Sequence, residues 1–300
     1  MTFDSYTDDI IDMLRWVNEY AKSTEADAVI WAGDVFDKKQ ANRNSHRLVQ
    51  KMIDLIQSSE VPIWCVTGNH DVTNDRLDSL ESQPLGVLYR SGLNELDGWH
   101  PELPVYGVPW QQYWDDPIKW TMAFESYRED LGHLEVEPPK LIVTHASIFP
   151  KGKEPIYEYL DLDDLAIAMR YTGSLYYGHI HDYHGFFEHE GVTFGNVGAI
   201  SRGSLTESHI TRDVKIAIWE DGKFSEVSVG NQRPASEVLR ISEGAEKKEL
   251  KLDLDAFLAD VDQSTLDISS TSSIISHVQS LDDVEPRIKK RAIAIVEQVS

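Results

Sequence analysis

Four short segments of this 300-residue chain carry side chains that could do chemistry together: Gly33-Asp34-Val35-Phe36-Asp37, Gly68-Asn69-His70-Asp71, Thr144-His145 and Gly178-His179-Ile180-His181. Each follows a short apolar run, so each reads as a strand end where the chain turns into a polar loop. Imidazole nitrogens, carboxylates and an amide oxygen make a mixed donor set, suited to Mn, Fe or Zn rather than calcium. His179 and His181 lie two apart, which puts them on one face of an extended segment. The glycines permit the sharp turns that aim the next side chain. Taken singly, each residue has an ordinary reading: Asp34 as a helix cap, Asn69 and His70 as a satisfied turn, His145 as a buried strand-end histidine. The ordered set is the signal.

Such a set needs a scaffold, and the periodicities supply one. Ile10, Ile11, Met13, Leu14, Val17 and Ala21 recur at helical spacing and predict an amphipathic helix over residues 6–22. Residues 28–31 predict a buried strand, 45–57 a second helix with Leu48, Met52, Leu55 and Ile56 on one face, and 61–66 a second strand. Further strands are expected at 105–108, 141–144 and 175–177, with helices at 118–131 and 162–170. This alternation means parallel βαβ units in an α/β fold, where ligands bind beyond the carboxyl ends of the strands. All four segments sit at such ends.

From about residue 186 the pattern turns to hairpins, 186–187 with 192–194, then 214–219 with 224–229 around the turn signal Asp221-Gly222. Past Pro234 the chain becomes charged and Ser/Thr-rich, with helical spacing at 254–261 and 284–299. The expected division is one domain over 1–232 and a small, mainly helical appendage over 233–300.

Composition narrows the partners. Fifty-one acidic against 28 basic residues give a net charge of −23, which repels bulk nucleic acid and anionic membrane. A phosphate-bearing substrate must then be met locally, by metal ions or a small basic patch. The single Cys65 excludes an internal disulfide and fits a reducing compartment. No apolar run approaches the ~18 residues of a membrane span, and the start lacks a signal-peptide pattern. A cytoplasmic protein with no membrane contact is the expectation.

The ordered set resembles the calcineurin-like metallophosphoesterase superfamily. With Asn196-Val197-Gly198-Ala199 and the appendage, it is most similar to the SbcD/Mre11-type DNA repair exonucleases and their phage relatives. The resemblance implies a β-sandwich flanked by helices (αββα) and a metal-dependent hydrolase of phosphodiester bonds, acting on DNA as an exonuclease or endonuclease. It implies two divalent ions, commonly manganese, with Fe or Zn as alternatives. In its terms Asp34 bridges the ions, Asn69, His145 and His179 complete one site, His181 serves the other, and His70 supports the leaving group as a catalytic non-ligand. It also implies a homodimer and an SbcC/Rad50-like ATPase partner.

Two departures qualify it. The superfamily opens with Asp-x-His on its first strand, whereas this sequence has no His before His46. The first strand and its motif are therefore missing, and the expectation is a reading frame that begins upstream. The second departure is Asp37, where the nuclease branch carries His. Asp37 favours an alternative, a small-nucleotide phosphodiesterase or phosphatase. The missing motif favours another, a catalytically impaired scaffold.

Around this centre, Asp37 and Asp71 either orient a neighbouring histidine or cap the following helix. Lys38, Lys39, Arg43, Arg47 and Arg202 are candidate phosphate or nucleic-acid contacts, as is the run Arg287, Lys289, Lys290, Arg291 on the last helix. Trp110, Tyr113, Trp114 and Trp120 either stack bases or pack against the sheet. Cys65 reads as core. His184, His189 and His209 read as hairpin surface, and His46, His100, His133 and His277 as surface or capping residues.

Overall fold

Helix α1 (Phe3–Ser23) buries the stripe that its spacing announces, with Ile11, Met13, Leu14, Val17 and Ala21 all under a tenth exposed. At ~1.5–3 kcal/mol for each large apolar side chain removed from water, that stripe is what docks the helix. It ends where Glu25 takes a left-handed φ of 55° and the Ala26 amide bonds back to Ala21 O at 2.9 Å. Asp9, fully buried on this helix, accepts from Arg233 Nε at 2.9 Å. Helix α2 (His46–Gln57) starts at Ser45, whose hydroxyl accepts from Leu48 N at 3.1 Å, a cap worth about 1 kcal/mol.

The structure is a computed structural model that describes residues 3–38, 41–73, 76–110, 139–155, 159–169, 173–201, 211–234 and 237. The expected helix at 118–131, the aromatic residues beyond Trp110 and the appendage past 237 lie outside the described residues. Chain contacts divide the molecule into one unit of Met1–Lys153 with Tyr159–Arg240 and a second of Glu154–Glu158 with Ile241–Ser300.

Strands β1 (Val29–Trp31), β2 (Ile63–Cys65) and β3 (Asn94–Glu95) form a three-stranded parallel sheet in that order. Helix α3 (Pro84–Arg90) precedes β3; its Leu85 and Leu88 are fully buried beside Leu55 and Ile56 of α2. The second sheet runs β4 (Gly98–Trp99), β5 (Val105–Val108), β6 (Leu141–His145), β7 (Gly173–Gly178), β9 (Val192–Asn196), β8 (Gly185–His189). β5, β6, β7 and β9 are mutually parallel in it. Helix α4 (Leu162–Met169) follows β6. A separate hairpin, β10 (Lys215–Glu220) with β11 (Lys223–Ser228), turns at Asp221 and Gly222, both at positive φ, the two-residue geometry expected there.

Alternation along the strands sorts side chains into layers. Val29, Ile63 and Cys65 face α1, α2 and α3. Ile30, Trp64, Val66, Leu141, Val143, Tyr176 and the hairpin's Trp219 and Phe224 fill the space between the sheets. Ile142, Leu175, Tyr177 and Phe194 face outward under Leu162 and Leu165 of α4. Helix, sheet, sheet, helix is the αββα arrangement. Since Leu141 and Val143 face inward, His145 at the end of β6 faces inward too.

Helix α3 and strands β3 and β4 have no counterpart among the elements expected from the sequence, because two-residue strands and a seven-residue helix are too short to show a period. Among the described residues, no helix is long and apolar enough to cross a membrane.

Candidate metal centre

Three sharp turns bring the polar segments to one point. β1 and β2 end side by side, as do β6 and β7, so their carboxyl ends converge. Asp34 and His179 both adopt left-handed backbone, φ 53° and 72°, a conformation costing of order 1–3 kcal/mol for a non-glycine residue. Close approach of the loops dictates the glycines: a Cβ on Gly68 would lie 2.3 Å from both Asp34 N and Oδ1.

At the centre, His145 Nε2 lies 3.1 Å from Asn69 Oδ1, 3.2 Å from Asp34 Oδ2 and 3.3 Å from His179 Nδ1. His179 Nδ1 is also 3.1 Å from Asn69 Oδ1. His145 Nδ1 donates to Ala32 O at 2.7 Å, and a carbonyl can only accept, so Nε2 is the nitrogen left for the centre. Asp34 and Asn69 bring only lone pairs, and each facing ring nitrogen offers a proton only where no cation takes its place. The nitrogen and oxygen atoms of Asp34, His145 and His179 lie within 4.8 Å of one another. This donor set fits a borderline divalent ion, with two imidazoles, a carboxylate and an amide oxygen as its holders.

The electrostatics agree. Burial alone would raise the Asp34 carboxyl, yet the His145 charge and hydrogen bond and the His70 amide hold it at about 2. Burial opposes a charge on His145, but Asp34 overcomes it and pushes that ring up. Burial and the His145 charge press His179 down to about 4, which leaves its ring neutral and able to donate a lone pair near pH 7.

His70 sits beside this centre without joining it. Its amide donates to Asp34 Oδ1 at 2.8 Å and its Nδ1 donates to Asp37 O at 2.7 Å. Asp37 thus reaches His70 through the main chain; its carboxylate is exposed and paired with Lys38 at 2.5 Å. Asp71 is buried and accepts from Gly68 N at 2.9 Å and Phe36 N at 3.4 Å, tying the first two loops together. Burial and the Asp34 charge push its carboxyl up to about 7. His181 is exposed and stands outside the converging cluster.

The basic candidates are dispersed. Lys38 is held by Asp37. Arg43 is exposed in a short 3-10 turn, Ala41–Arg43. Arg47 acts electrostatically on Asp8 of α1. Lys39 and Arg202 lie outside the described residues. Trp110 stacks on His179 with centroids 5.1 Å apart and meets His145 edge-on at 6.0 Å, while Tyr113, Trp114 and Trp120 are not described.

Other described histidines keep structural roles, with His100 and His184 more buried than expected. His100 is buried, lies against Trp64 at 4.2 Å and accepts from Glu102 N and Leu103 N, so it caps a turn from inside. His184 is half-buried and bonded to Tyr177 OH at 2.7 Å, while His189 pairs with Asp163 at 2.8 Å. Cys65 is fully buried, and burial pushes its thiol well up, as befits core.

Two residues of this region were not foreseen from the sequence as structural groups. Asn196 Nδ2 donates to Tyr177 O and Ile180 O at 3.0 and 3.1 Å. Arg212 bonds the carbonyls of His181, Ala199 and Ser201. Side-chain bonds to distant carbonyls leave no periodic mark in a sequence; only the Asn196-Val197-Gly198-Ala199 text hinted at them.

Among solved structures, the crystal structure of TT1561 of Thermus thermophilus resembles the chain at a TM-score of 0.48 and 12% identity, over 73% of this chain and 93% of that one. The family model described as calcineurin-like phosphoesterase matches residues 6–183, a span that holds every residue of the centre. The chain belongs to the calcineurin-like phosphoesterase family.

Proposed function

We propose that this phosphoesterase cleaves phosphodiester bonds in DNA, using divalent ions held by Asp34, Asn69, His145 and His179, with His181 serving a second ion. The observation that carries the metal-dependent chemistry is the meeting of four lone-pair donors, two of them on strained left-handed residues. When bound, such ions supply Lewis-acid charge and bring a coordinated water towards a pKa of ~7. The chain's own residues do the rest. Asp34 and Asn69 fix the oxygen donors, and Ala32 O locks the His145 ring. His70, with Nδ1 committed to Asp37 O, keeps Nε2 for the substrate and hands a proton to the departing oxygen.

DNA as substrate rests on the resemblance to the SbcD/Mre11-type nucleases, as do manganese, the homodimer and the SbcC/Rad50-like partner. Pairing of Lys38 with Asp37 removes one cation from the approach and favours the rival reading, a phosphodiesterase for small nucleotides. Incubating the full chain and Mn2+ with linear duplex DNA and with bis(p-nitrophenyl) phosphate separates the two. Loss of DNA supports the nuclease; cleavage of the small diester alone supports the rival; cleavage of neither supports the impaired scaffold. In His70→Ala, kcat on the cleaved substrate falls ~10²–10⁴-fold while Mn2+ affinity is unchanged.

A further inference from the structure

The main chain that carries His179 and His181 leaves β7 in left-handed backbone, with φ 72° at His179, and is gripped from outside by two side chains. Asn196 holds the Ile180 carbonyl at 3.1 Å. Arg212 bonds the His181 carbonyl through Nη1, and the Ala199 and Ser201 carbonyls through Nη2, the latter at 2.9 Å. Ala199 N also donates to His181 O at 3.2 Å. One guanidinium thus joins the turn after β7 to the loop after β9. The join is possible because residue 198 is glycine: a Cβ there would lie 2.4 Å from Arg212 Nη1 and 2.7 Å from His181 O, and its φ is +77°.

We infer that Arg212 is a positioning residue for the metal centre, which acts by fixing the His181 main chain and with it the imidazole that serves the second ion. A guanidinium spent on three carbonyls is not a phosphate contact. It does what a lysine cannot, because only a planar fork serves several acceptors in fixed directions. The inference rests on the proposed role of His181 and goes beyond it in naming what holds that residue.

Metal-free full chain is titrated with Mn2+ by calorimetry, as wild type, Arg212→Lys, Gly198→Ala, His181→Ala and the Arg212→Lys/His181→Ala double variant. Arg212→Lys and Gly198→Ala each weaken uptake of the second Mn2+ ~10–100-fold, the usual effect of removing a group that orients a ligand, and leave the first unchanged. In the His181→Ala background, Arg212→Lys adds less than about twofold, because its route of action is already gone. Wild-type affinity in either single variant overturns the inference, and so do losses that add fully in the double variant. If Arg212→Lys does not fold, Gly198→Ala disturbs the same carbonyl with the charge intact and decides alone. A wild type that takes up no Mn2+ overturns the proposed function and this inference with it, whereas a normal wild type with unaffected variants overturns only the inference.

Discussion

Replacing Gly178 by alanine tests whether loop packing aims His145. Gly178 ends β7, and a Cβ placed on it would lie 2.1 Å from Ala32 O and 3.0 Å from His145 Nδ1. That carbonyl is the one that receives the His145 Nδ1 proton at 2.7 Å. Carbon and carbonyl oxygen approach no closer than ~3.3 Å, so the two backbones must part by about 1.2 Å. Neither side is the free end of a flexible side chain, so no rotamer change absorbs the shift. Overpacking of this kind costs ~1–3 kcal/mol, and a buried N–H deprived of its acceptor costs ~1–3 kcal/mol. The variant is therefore less stable by about 2–6 kcal/mol, which lowers the melting temperature of the metal-free protein by ~4–24 °C for a domain of this size.

Displacement of Ala32 O also releases the His145 ring, so Mn2+ affinity falls ~10–100-fold. Scanning calorimetry reads the first effect and Mn2+ titration the second. Gly222→Ala is the control: nothing lies within 4 Å of its added Cβ, and its left-handed φ of +77° adds backbone strain far from the centre without a clash. It loses stability and keeps metal affinity. A Gly178→Ala protein that melts within about 1 °C of wild type refutes the steric argument. One that is destabilised but binds Mn2+ normally refutes the link from Ala32 O to ring orientation.

Three further outcomes check other parts of the structure. Saturating Mn2+, at about a hundred times its Kd, stabilises the wild type by ~2.7 kcal/mol, or about 5–10 °C in melting temperature; His145→Ala shows little of that rise. Asp71→Ala leaves the Gly68 and Phe36 amides without an acceptor and costs about 2–3 kcal/mol in chemical denaturation. Asp71→Asn costs less, because a carboxyl pushed to about 7 already tolerates a neutral neighbour in its place. Arg233→Met removes the 2.9 Å ion pair to the buried Asp9 and lowers stability by about 2 kcal/mol, read as a lower urea midpoint with unchanged slope.

How much of this was legible in the sequence depends on the kind of interaction. α1 and α2 were, because their burial is periodic and long. So was the meeting of Asp34, Asn69, His145 and His179 at one end of the strands, because parallel topology forces strand ends together. What escaped was whatever works through the main chain. Ala32 O orients His145, Asp37 O orients His70, and the His181 carbonyl is the handle for Arg212; a carbonyl has no letter in a sequence. The Asp37 carboxylate drew attention for its residue type, yet it faces Lys38 while its peptide group holds His70. Helix α3 escaped for a different reason, since Leu85 and Leu88 make one turn of pattern and no more.

The charge of −23 takes on a definite meaning once the cations are located. The basic run after Asp37 looked like a phosphate patch beside the centre, but Lys38 is neutralised by Asp37 and Arg47 sits in the field of Asp8. Arg212, a cation beside the His179–His181 turn, is occupied by three carbonyls. Lys38 and Arg212 thus serve the protein's own carboxylate and carbonyl groups. Two divalent ions would contribute about +4 at one point, where burial keeps the effective dielectric low and the attraction strong. An anionic phosphodiester would then be attracted at the metal centre and repelled by most of the surrounding acidic surface. In such a design the protein binds its substrate only where it can cleave it, so metal occupancy sets affinity as well as rate.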